Sequence, residues 1–572
     1  MTRTIRSIGA QATTRRAFLA GVAGLSLADT AAGRTSEPAD SGRTPESTDT
    51  GSRDGRERDD APGLDPEAVA DYFDAELEAR VGDETPGATV AVVTSDRTCF
   101  TEGYGVADVE TGTPVRADET GFRVGSVSKL PTYTALLRSV ERGRLDLDVD
   151  VNEYLTDSAL HVSETFDEPV TLRHLSTHTP GFDAVPNPGL VWDPAAVTDL
   201  ETALAEPRPE RIRPPGKVVA YSNYGTALTG HVLAEAHDTT FHEVVDAEVL
   251  EPLEMDHTTY VQPVPEEYPG DVSRPHAPNG DHFSVADTSY VTWFPAGSMT
   301  ATATDIARFM RAHLGRGRLE STRVLEPATA DEMHRRQFER HPAVNGMAHG
   351  FWETGAPDEP LLGHGGSTMN FQSYLLLVPE RDVGVFVAYN ARGAGTPVSL
   401  VEAFARTFDL GFAAHAPDRR PPEGASERAE AVAGEYATVT EYRGALGETL
   451  TRLRNVRVDP LDDGRIRVRS LEEGAREFVE AEPYVFREVD GHDALAFEVD
   501  DGDAVRAHRS GTAVATYEPA EFAERQLMAG GTAGVALGGF LVSTVGWSGD
   551  ALRRRWRRRT DDSAETNEEA GE

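Results

Sequence analysis

The sequence predicts an α+β domain followed by a small all-β domain and a C-terminal transmembrane helix. Strand patterns at both ends of residues 64–414 enclose a long, mostly helical middle. This order is expected when one antiparallel sheet is assembled from both ends of a domain. Short alternating strands dominate residues 431–517. Residues 527–547 contain no charged side chain, and about 20 apolar residues suffice for a helix to span a bilayer.

The length and charge of the chain limit what it can be. A chain of 572 residues is too long for one hydrophobic core, so it should divide into several domains. The formal net charge is −41, and Lys129 and Lys217 are the only lysines. Such an acidic, lysine-poor chain repels nucleic acid, because phosphate binding requires clustered Lys and Arg. The acidity also runs through the segments with folding patterns, which favours adaptation to high salt over acidic tails alone.

The N-terminus of the chain resembles an export signal. Within residues 1–32, Arg15 and Arg16 precede Phe18 and a weakly apolar run, as in twin-arginine signals. Residues 33–63 have almost no apolar side chain, so they cannot bury enough surface to fold and are predicted to form a disordered linker.

The C-terminus predicts how the chain would sit in a membrane. Residues 527–547 precede an arginine cluster at 553–559, and such clusters stay on the cytoplasmic side. The tail at 548–572 is basic and then acidic. We therefore expect a single-pass protein of the cell membrane with its main domains on the extracellular side. Because the apolar run is rich in Gly, a helix lying on the membrane surface is the alternative. The oligomeric state stays open.

Periodicity and turn residues predict the elements between these ends. Asp65 and Pro66 begin a helix, and a second helix with a buried face covers 126–142. β-Branched stretches predict two strand pairs, 88–93 with 97–104 and 370–378 with 382–389. Residues 415–430 are rich in Pro and charge, so they predict a linker in front of the small β-domain. That β-domain has no cluster of catalytic residue types, which favours a spacer or packing role.

The first candidate motif is Ser126-Val127-Ser128-Lys129. On a helix, positions i and i+3 share a face, so the Lys129 amine can reach the Ser126 hydroxyl. Burial disfavours the ammonium form, and a desolvated lysine is a base that activates serine. Because Ser126 begins the helix, the positive helix end also favours an oxyanion near its backbone N–H. The motif therefore predicts a serine nucleophile with a lysine base.

Two further motifs follow it along the chain. They are Tyr221-Ser222-Asn223 and His364-Gly365-Gly366-Ser367. Together with the first motif, this order resembles the serine β-lactamases and penicillin-binding proteins, closest to the class C branch and its esterase and peptidase relatives. Residues 177–181 and 297–302 also resemble that family, and the resemblance covers residues 64–414. It implies a β-lactamase-like fold, with an antiparallel sheet flanked by helices plus a mostly helical subdomain.

The resemblance also implies the chemistry of the matched residues. Ser126 would be the acylated nucleophile of a serine hydrolase, and Lys129 and Tyr221 would share proton transfer to and from it. Tyr221 would be either a phenolate held by Lys129 or a neutral relay. The expected course is acylation of Ser126, loss of the leaving group and hydrolysis by water.

The remaining matched residues would contact the substrate. Asn223, His364 and Gly366 would bind it, and the backbone N–H groups of Ser126 and Ser367 would form the oxyanion hole. β-Lactamases and transpeptidases usually carry Lys where this chain has His364, and a neutral imidazole is a weaker partner for a carboxylate. We therefore expect esters or small amides and peptides as substrates. The alternatives are a β-lactamase or D-amino acid peptidase, and a membrane receptor that binds such ligands without turnover.

Rival hydrolase classes lack their motifs. The chain has no Gly-x-Ser-x-Gly elbow of the α/β-hydrolases. His242 and Glu243 are not followed by a second His at zinc-peptidase spacing. We expect no metal and no cofactor.

Overall fold

The computed structural model describes residues 64–520, apart from 186–188, 394, 413–419, 441–450, 452–453, 471–473, 501–502 and 511–514. The predicted export signal, the N-terminal linker, the apolar run at 527–547 and the tail at 548–572 lie outside the described residues. Within the described part of the chain, every helix is too short or too polar to cross a membrane.

Ten α-helices are described, nine of them before residue 414. They are α1 (Pro66–Arg80), α2 (Lys129–Glu141), α3 (Leu172–Ser176), α4 (Leu200–Ala205), α5 (Asn223–His237), α6 (Phe241–Val245), α7 (Ala303–Leu314), α8 (Pro327–His334), α9 (Pro397–Thr407) and α10 (Ala425–Ala431).

The strands of the first domain include several of only two residues. They are β1 (Gly87–Val93), β2 (Thr98–Asp108), β3 (Thr113–Pro114), β4 (Thr120–Arg123), β5 (Leu190–Val191), β6 (Thr258–Thr259), β7 (Asp271–Val272), β8 (His276–Asn279), β9 (His282–Val285), β10 (Tyr290–Val291), β11 (Thr300–Ala301), β12 (Arg318–Leu319), β13 (Thr322–Arg323), β14 (Trp352–Thr354), β15 (Leu361–Ser367), β16 (Gln372–Val378) and β17 (Val383–Tyr389). The second domain contains β18 (Gly434–Thr438), β19 (Val456–Pro460), β20 (Ile466–Ser470), β21 (Gly474–Glu482), β22 (Val485–Glu488), β23 (Ala494–Asp500), β24 (Asp503–Arg509) and β25 (Ala515–Pro519).

The main sheet of the first domain is built from both ends of that domain, as predicted. Its seven strands follow the order β14-β15-β16-β17-β1-β2-β3, and neighbouring strands are antiparallel. The central pairing joins Ala88 to Tyr389 and Val93 to Gly384, so the first strand closes against the last. The expected antiparallel sheet flanked by helices is confirmed.

Helices cover both faces of this sheet. Because successive side chains on a strand point to opposite faces, Ala91 and Val93 enter one core while Val90 and Val92 enter another. Helices α1 and α9 pack on the second of these faces. On the first face, α7 packs against β1 and β17, and α2 packs against α5 and α8. The helix predicted at Asp65 is present, and the Asp65 side chain caps it by accepting from the Glu67 N–H.

The second domain is a closed barrel of eight strands, β18 to β25. Consecutive strands pair antiparallel, and β18 closes on β25. Aromatic and aliphatic side chains such as Phe478, Phe486 and Phe497 fill its core, and α10 packs against β19. The predicted small all-β domain is thus confirmed. Helix α10 occupies part of the segment expected to be a linker, because Ala425 and Ala429 are buried there.

The barrel docks on the first domain through the loop at 335–351, between α8 and β14. Val344 in this loop is 1% exposed and packs with Val485, Ala494 and Ala496 of the barrel. Arg340 of the loop donates to Glu498 of β23 at 3.1 Å. The same loop leads directly to Trp352 at the start of β14, so it connects the barrel to the site described next.

Candidate active site

Ser126 lies in a short 3-10 turn, Gly125–Ser128, which joins β4 to α2. The sequence predicts an α-helix that begins at Ser126, whereas the α-helix of the structure begins at Lys129. Residues 297–302 support this turn, since Val124 N–H donates to Met299 O at 3.0 Å and Met299 N–H donates to Ser128 Oγ at 3.0 Å. The tighter turn keeps Ser126 and Lys129 on the same side of the chain.

Two glycines allow β15 to lie directly against this turn. Gly125 has φ +54, and a Cβ there would lie 2.5 Å from Ser367 N. A Cβ on Gly366 would lie 2.0 Å from Val124 O. Larger residues would push the strand away, so these glycines bring the Ser367 backbone beside the turn that carries Ser126.

The Lys129 side chain is completely buried. Its Nζ lies 3.1 Å from Ser126 Oγ, 2.8 Å from Asn223 Oδ1 and 2.6 Å from Ala296 O. Desolvation by burial holds the pKa of Lys129 well below its ordinary value, because the ammonium form loses its hydration there. The amine is therefore available as a base at lower pH than that of a surface lysine.

The three oxygen atoms around Lys129 match the three N–H donors of an ammonium, and they can also be shared by a neutral amine. Such an amine has two N–H donors and one lone pair. The two carbonyl oxygens, Asn223 Oδ1 and Ala296 O, can only accept, so they use both donors. The lone pair is then left for the hydroxyl of Ser126, which can donate to it.

Tyr221 covers the same amine from the other side. The centroid of its ring lies 4.9 Å from Lys129 Nζ, and the Ser126 side chain is close enough to lower the pKa of its hydroxyl. Burial raises the pKa of Tyr221 above its ordinary value, so the phenol keeps its proton. Ser222 caps helix α5 by accepting from the Gly225 N–H at 3.0 Å, which fixes the direction of Tyr221 and Asn223 on either side of it.

His364 is placed on β15 and is completely buried. Its ring lies 4.1 Å from the Trp352 ring and 6.2 Å from the Tyr221 ring, measured between centroids. Burial lowers the pKa of His364 far below its ordinary value, and the nearby Lys129 lowers it further. The structure therefore brings His364 to the site as a neutral imidazole beneath Tyr221, without an exposed face.

His178 is a residue of the site to which the sequence analysis gave no role. It is completely buried, and its ring lies 4.4 Å from that of Tyr221. Burial lowers the pKa of His178 to about 3. The signal was present in the resemblance of residues 177–181 to the family, but the spacing to Tyr221 could not be read from the sequence.

An apolar wall borders the site on the side of Tyr221. We define it by Val219, Met347 and Trp352, which are buried together, with Phe338 packed against them. Phe338 and Met347 belong to the loop that docks the barrel. The Phe338 N–H donates to Met347 O at 3.1 Å and the Met347 N–H donates to Phe338 O at 2.9 Å, so the two ends of that loop segment are held together.

Metal chemistry finds no support among the described residues. No group of three or more His, Cys, Asp or Glu in that part of the chain is arranged to hold a metal ion. Contacts with Ser126, with Lys129, with Tyr221 or with the turn that carries Ser126 link the predicted site residues Ser126, Lys129, Tyr221, Asn223, His364, Gly366 and Ser367. Such an arrangement can perform acyl transfer by nucleophilic attack with proton transfer to a neighbouring base.

Comparison with known proteins agrees with this geometry. The model of the Beta-lactamase family matches residues 73–406, which are more than half of the chain. Protein flp of Staphylococcus aureus (strain N315) is 25% identical over 339 residues, covering 55% of this chain and 62% of flp. Esterase EstB of Burkholderia gladioli is 30% identical over 217 residues, covering 36% of this chain and 55% of EstB. The chain thus spans less than two thirds of the length of these curated relatives.

The fold likeness extends past the first domain. The crystal structure of SurE matches with a TM-score of 0.56 at 21% identity, covering 80% of this chain and 100% of the SurE chain. Residues 64–414 are only 351 of the 572 residues, so a match of this extent includes residues outside the first domain. The chain belongs to the β-lactamase family.

Proposed function

We propose that the chain hydrolyses esters and small amides or peptides through an acyl-enzyme formed on Ser126. The observation that carries this proposal is the buried Lys129 amine, 3.1 Å from Ser126 Oγ, whose pKa is lowered by burial. A lysine that is neutral near neutral pH is a competent general base.

In the proposed acylation, the Ser126 hydroxyl transfers its proton to the lone pair of Lys129 as Oγ attacks the substrate carbonyl carbon. The C–O bond to Ser126 forms and the carbonyl π electrons move to oxygen. The backbone N–H groups of Ser126 and Ser367 would stabilise that oxyanion, consistent with the contact between β15 and the nucleophile turn. Collapse of the intermediate breaks the bond to the leaving group. Water then attacks the acyl carbon, and the bond to Ser126 Oγ breaks while the proton transfers run in the opposite direction.

Tyr221 would return the proton to the leaving group. Of the two roles left open by the sequence, the neutral relay is favoured, because burial raises the pKa of the phenol and burial lowers the pKa of Lys129. Both shifts oppose a Tyr221 phenolate beside a Lys129 ammonium. The interaction of the Tyr221 hydroxyl with the Ser126 side chain supports a direct path for the proton.

The substrate class follows from the charges that surround the site. His364 is neutral and fully buried, so it offers no cation for a substrate carboxylate. The apolar wall of Val219, Met347, Trp352 and Phe338 suits an apolar acyl or leaving group. The likeness to EstB supports esters in the same way. Asn223 gives its Oδ1 to Lys129, which leaves its amide N–H groups for the substrate.

We further propose that the chain is exported and tethered to the cell membrane, with both domains outside. This part rests on the arginine pair in residues 1–32 and on the apolar run at 527–547. Adaptation to high salt rests on the net charge of −41. Fractionation of cells that express the full chain would find it with membranes, and deletion of residues 527–547 would release it.

A substrate panel at molar salt tests the hydrolase proposal. It would contain p-nitrophenyl esters of increasing acyl length, D-amino acid amides and nitrocefin, with Ser126→Ala as the control. We expect turnover of esters that Ser126→Ala abolishes. Nitrocefin or amide turnover exceeding that of every ester would favour a β-lactamase or peptidase. Labelling of Ser126 by a fluorescent penicillin without release would favour a receptor.

A further inference from the structure

His178 holds the second motif of the site in place by several contacts. Its Nδ1 accepts from the Ser222 N–H at 3.2 Å, and its carbonyl accepts from the Ala220 N–H at 2.8 Å. Its ring packs against that of Tyr221. The residue itself has φ +55, a left-handed conformation that a β-carbon disfavours. Such strain persists where the surroundings impose it, and it is concentrated at functional sites.

The hydrogen bond from Ser222 fixes the tautomer of His178. A backbone N–H can only donate, so Nδ1 must present its lone pair. Because burial keeps this imidazole neutral, its one proton must be on Nε2. His178 therefore carries an Nε2–H donor.

His364 must adopt the opposite tautomer. Its Nδ1 lies 2.7 Å from Gly365 O, and a carbonyl oxygen can only accept. The proton of the neutral ring is thus on Nδ1, and Nε2 presents a lone pair. The two histidines accordingly offer one donor and one acceptor.

Both Nε2 atoms are buried and, within the described part of the chain, neither has a hydrogen-bond partner. The centroids of the two rings lie 4.4 and 6.2 Å from that of Tyr221. A proton on Lys129 would lower the pKa of both rings, so the ionisation of these three side chains is linked.

We propose that His178 and His364 are a pair of positioning residues in opposite neutral tautomers, which hold the Tyr221 phenol over Lys129 and keep water away from the amine. Neither ring is exposed, so neither contacts the substrate through an open face. The pair acts through Tyr221 and Lys129. This inference rests on the proposed function, since it concerns the proton transfer that Ser126 needs.

Paired asparagine variants test this role. In His178→Asn, the side-chain oxygen can still accept from Ser222, and Asn tolerates the left-handed conformation. In His364→Asn, the amide can still donate to Gly365. Both variants lose the ring and Nε2. We expect each to lower kcat about 10-fold to 100-fold with little change in KM. The acid limb of the pH profile should move to higher pH, because water admitted beside Lys129 would raise its pKa.

The double variant shows whether the histidines act as a pair. Residues of one unit give non-additive losses, so His178→Asn/His364→Asn should lower kcat little more than the worse single variant. Additive losses, or a KM effect with an unmoved pH profile, would overturn the proposal. His508→Asn is the matched control, because His508 is a buried histidine of the barrel, 1% exposed. It should leave the acid limb where it is.

The tautomers can be measured in the wild-type chain even if a variant fails to fold. Nitrogen-15 chemical shifts distinguish the two neutral tautomers, and the variants or selective labelling would assign the signals. We expect Nε2–H for His178 and Nδ1–H for His364. The same tautomer at both positions would contradict the pair. Fluorophosphonate labelling of wild-type Ser126 distinguishes a failure of the proposed function from a failure of the histidine pair. If Ser126 is not labelled, the proposed function is wrong. If it is labelled while both asparagine variants match wild type, only the proposed pair is wrong.

Discussion

Two regions of the molecule bury ionisable side chains in opposite ways. At the active site, Lys129 is fully buried and its hydrogen-bond partners are neutral groups. In the barrel, Asp493 is 2% exposed, and it accepts from Arg509 at 2.7 Å and from Arg476 at 2.9 Å. Glu480 in the same barrel is 3% exposed and accepts from Arg428 at 2.6 Å.

The difference shows what determines whether a buried charge serves chemistry or structure. Where an opposite charge is present, both groups stay ionised and the pair fixes the packing around it. Where the partners are neutral, burial removes the charge and shifts the pKa, as for Lys129. The proposed reactive centre of the first domain is of the second kind, and the ion pairs of the barrel are of the first.

The largest expected effect comes from removing the unpaired base. Lys129→Met should lower kcat/KM for a p-nitrophenyl ester about 10³-fold or more, because the nucleophile loses its proton acceptor. Lys129→Arg should be as inactive, since a guanidinium stays protonated. The chain supplies its own control in Lys217, its other lysine, which is exposed. The comparison between the two regions would lose its basis if Lys217→Met lost as much activity, or if Lys129→Arg kept nearly wild-type activity.

The change in wild-type activity with pH should be nearly as large as the loss expected for Lys129→Met. The pKa of Lys129 is depressed in the folded chain, so the amine is neutral above that pKa and gains a proton as the pH falls through it. Activity should therefore be present above this pKa and should fall about 10-fold per pH unit below it. The midpoint should lie well below about 10.4, the ordinary value for lysine. A profile of kcat/KM from pH 5 to 10 that is flat would contradict this account.

Removing a paired carboxylate of the barrel should lower stability and leave activity unchanged, in contrast to removing Lys129. Asp493→Ala leaves Arg509 and Arg476 without this partner, and breaking a buried ion pair costs about 3–5 kcal/mol. We expect a clear fall in the denaturant midpoint, with unchanged kcat per active site at low temperature. Active-site titration with a fluorophosphonate would give the folded fraction. A change in the acid limb of the pH profile would show that the barrel also tunes the chemistry.

The smallest effect is expected where the two regions meet. Arg340 and Glu498 are partly exposed, so Arg340→Ala should cost less than about 1 kcal/mol in stability. Its loop carries Phe338 and Met347 of the apolar wall. We therefore expect the ratio of kcat/KM between long-chain and short-chain esters to change about twofold to fivefold. An unchanged ratio would show that the contact between the barrel and this loop does not affect which ester is preferred.

Much of the site was predictable from the sequence because it depends on local spacing. Ser126 and Lys129 are three residues apart, and the glycines of the third motif indicate that two backbone segments approach closely there. The lowered pKa of Lys129 was also predicted, since burial of a lysine lowers its pKa. The sheet was predicted from strand patterns at both ends of the domain.

Other features depend on contacts between distant segments, and no local pattern reveals them. The tautomer of His178 is set by Ser222, which lies 44 residues away. The neutral, buried position of His364 is set by Trp352 and Tyr221. The 3-10 turn at Ser126 replaces a regular helix start because Met299 and Ser128 bind each other there. The barrel closes by pairing β18 with β25, whereas the sequence predicted only short strands.

The central claim, that a buried neutral lysine makes Ser126 a nucleophile, is tested most directly by trapping the acyl-enzyme. The full chain at molar salt would be mixed with an activated ester, quenched with acid within the first turnover and analysed by mass spectrometry of its peptides. We expect one acyl group on Ser126, formed at a rate that falls below the pKa of Lys129 and absent in Lys129→Met. An acyl group on another residue, or equal acylation of Ser126 in Lys129→Met, would contradict the account.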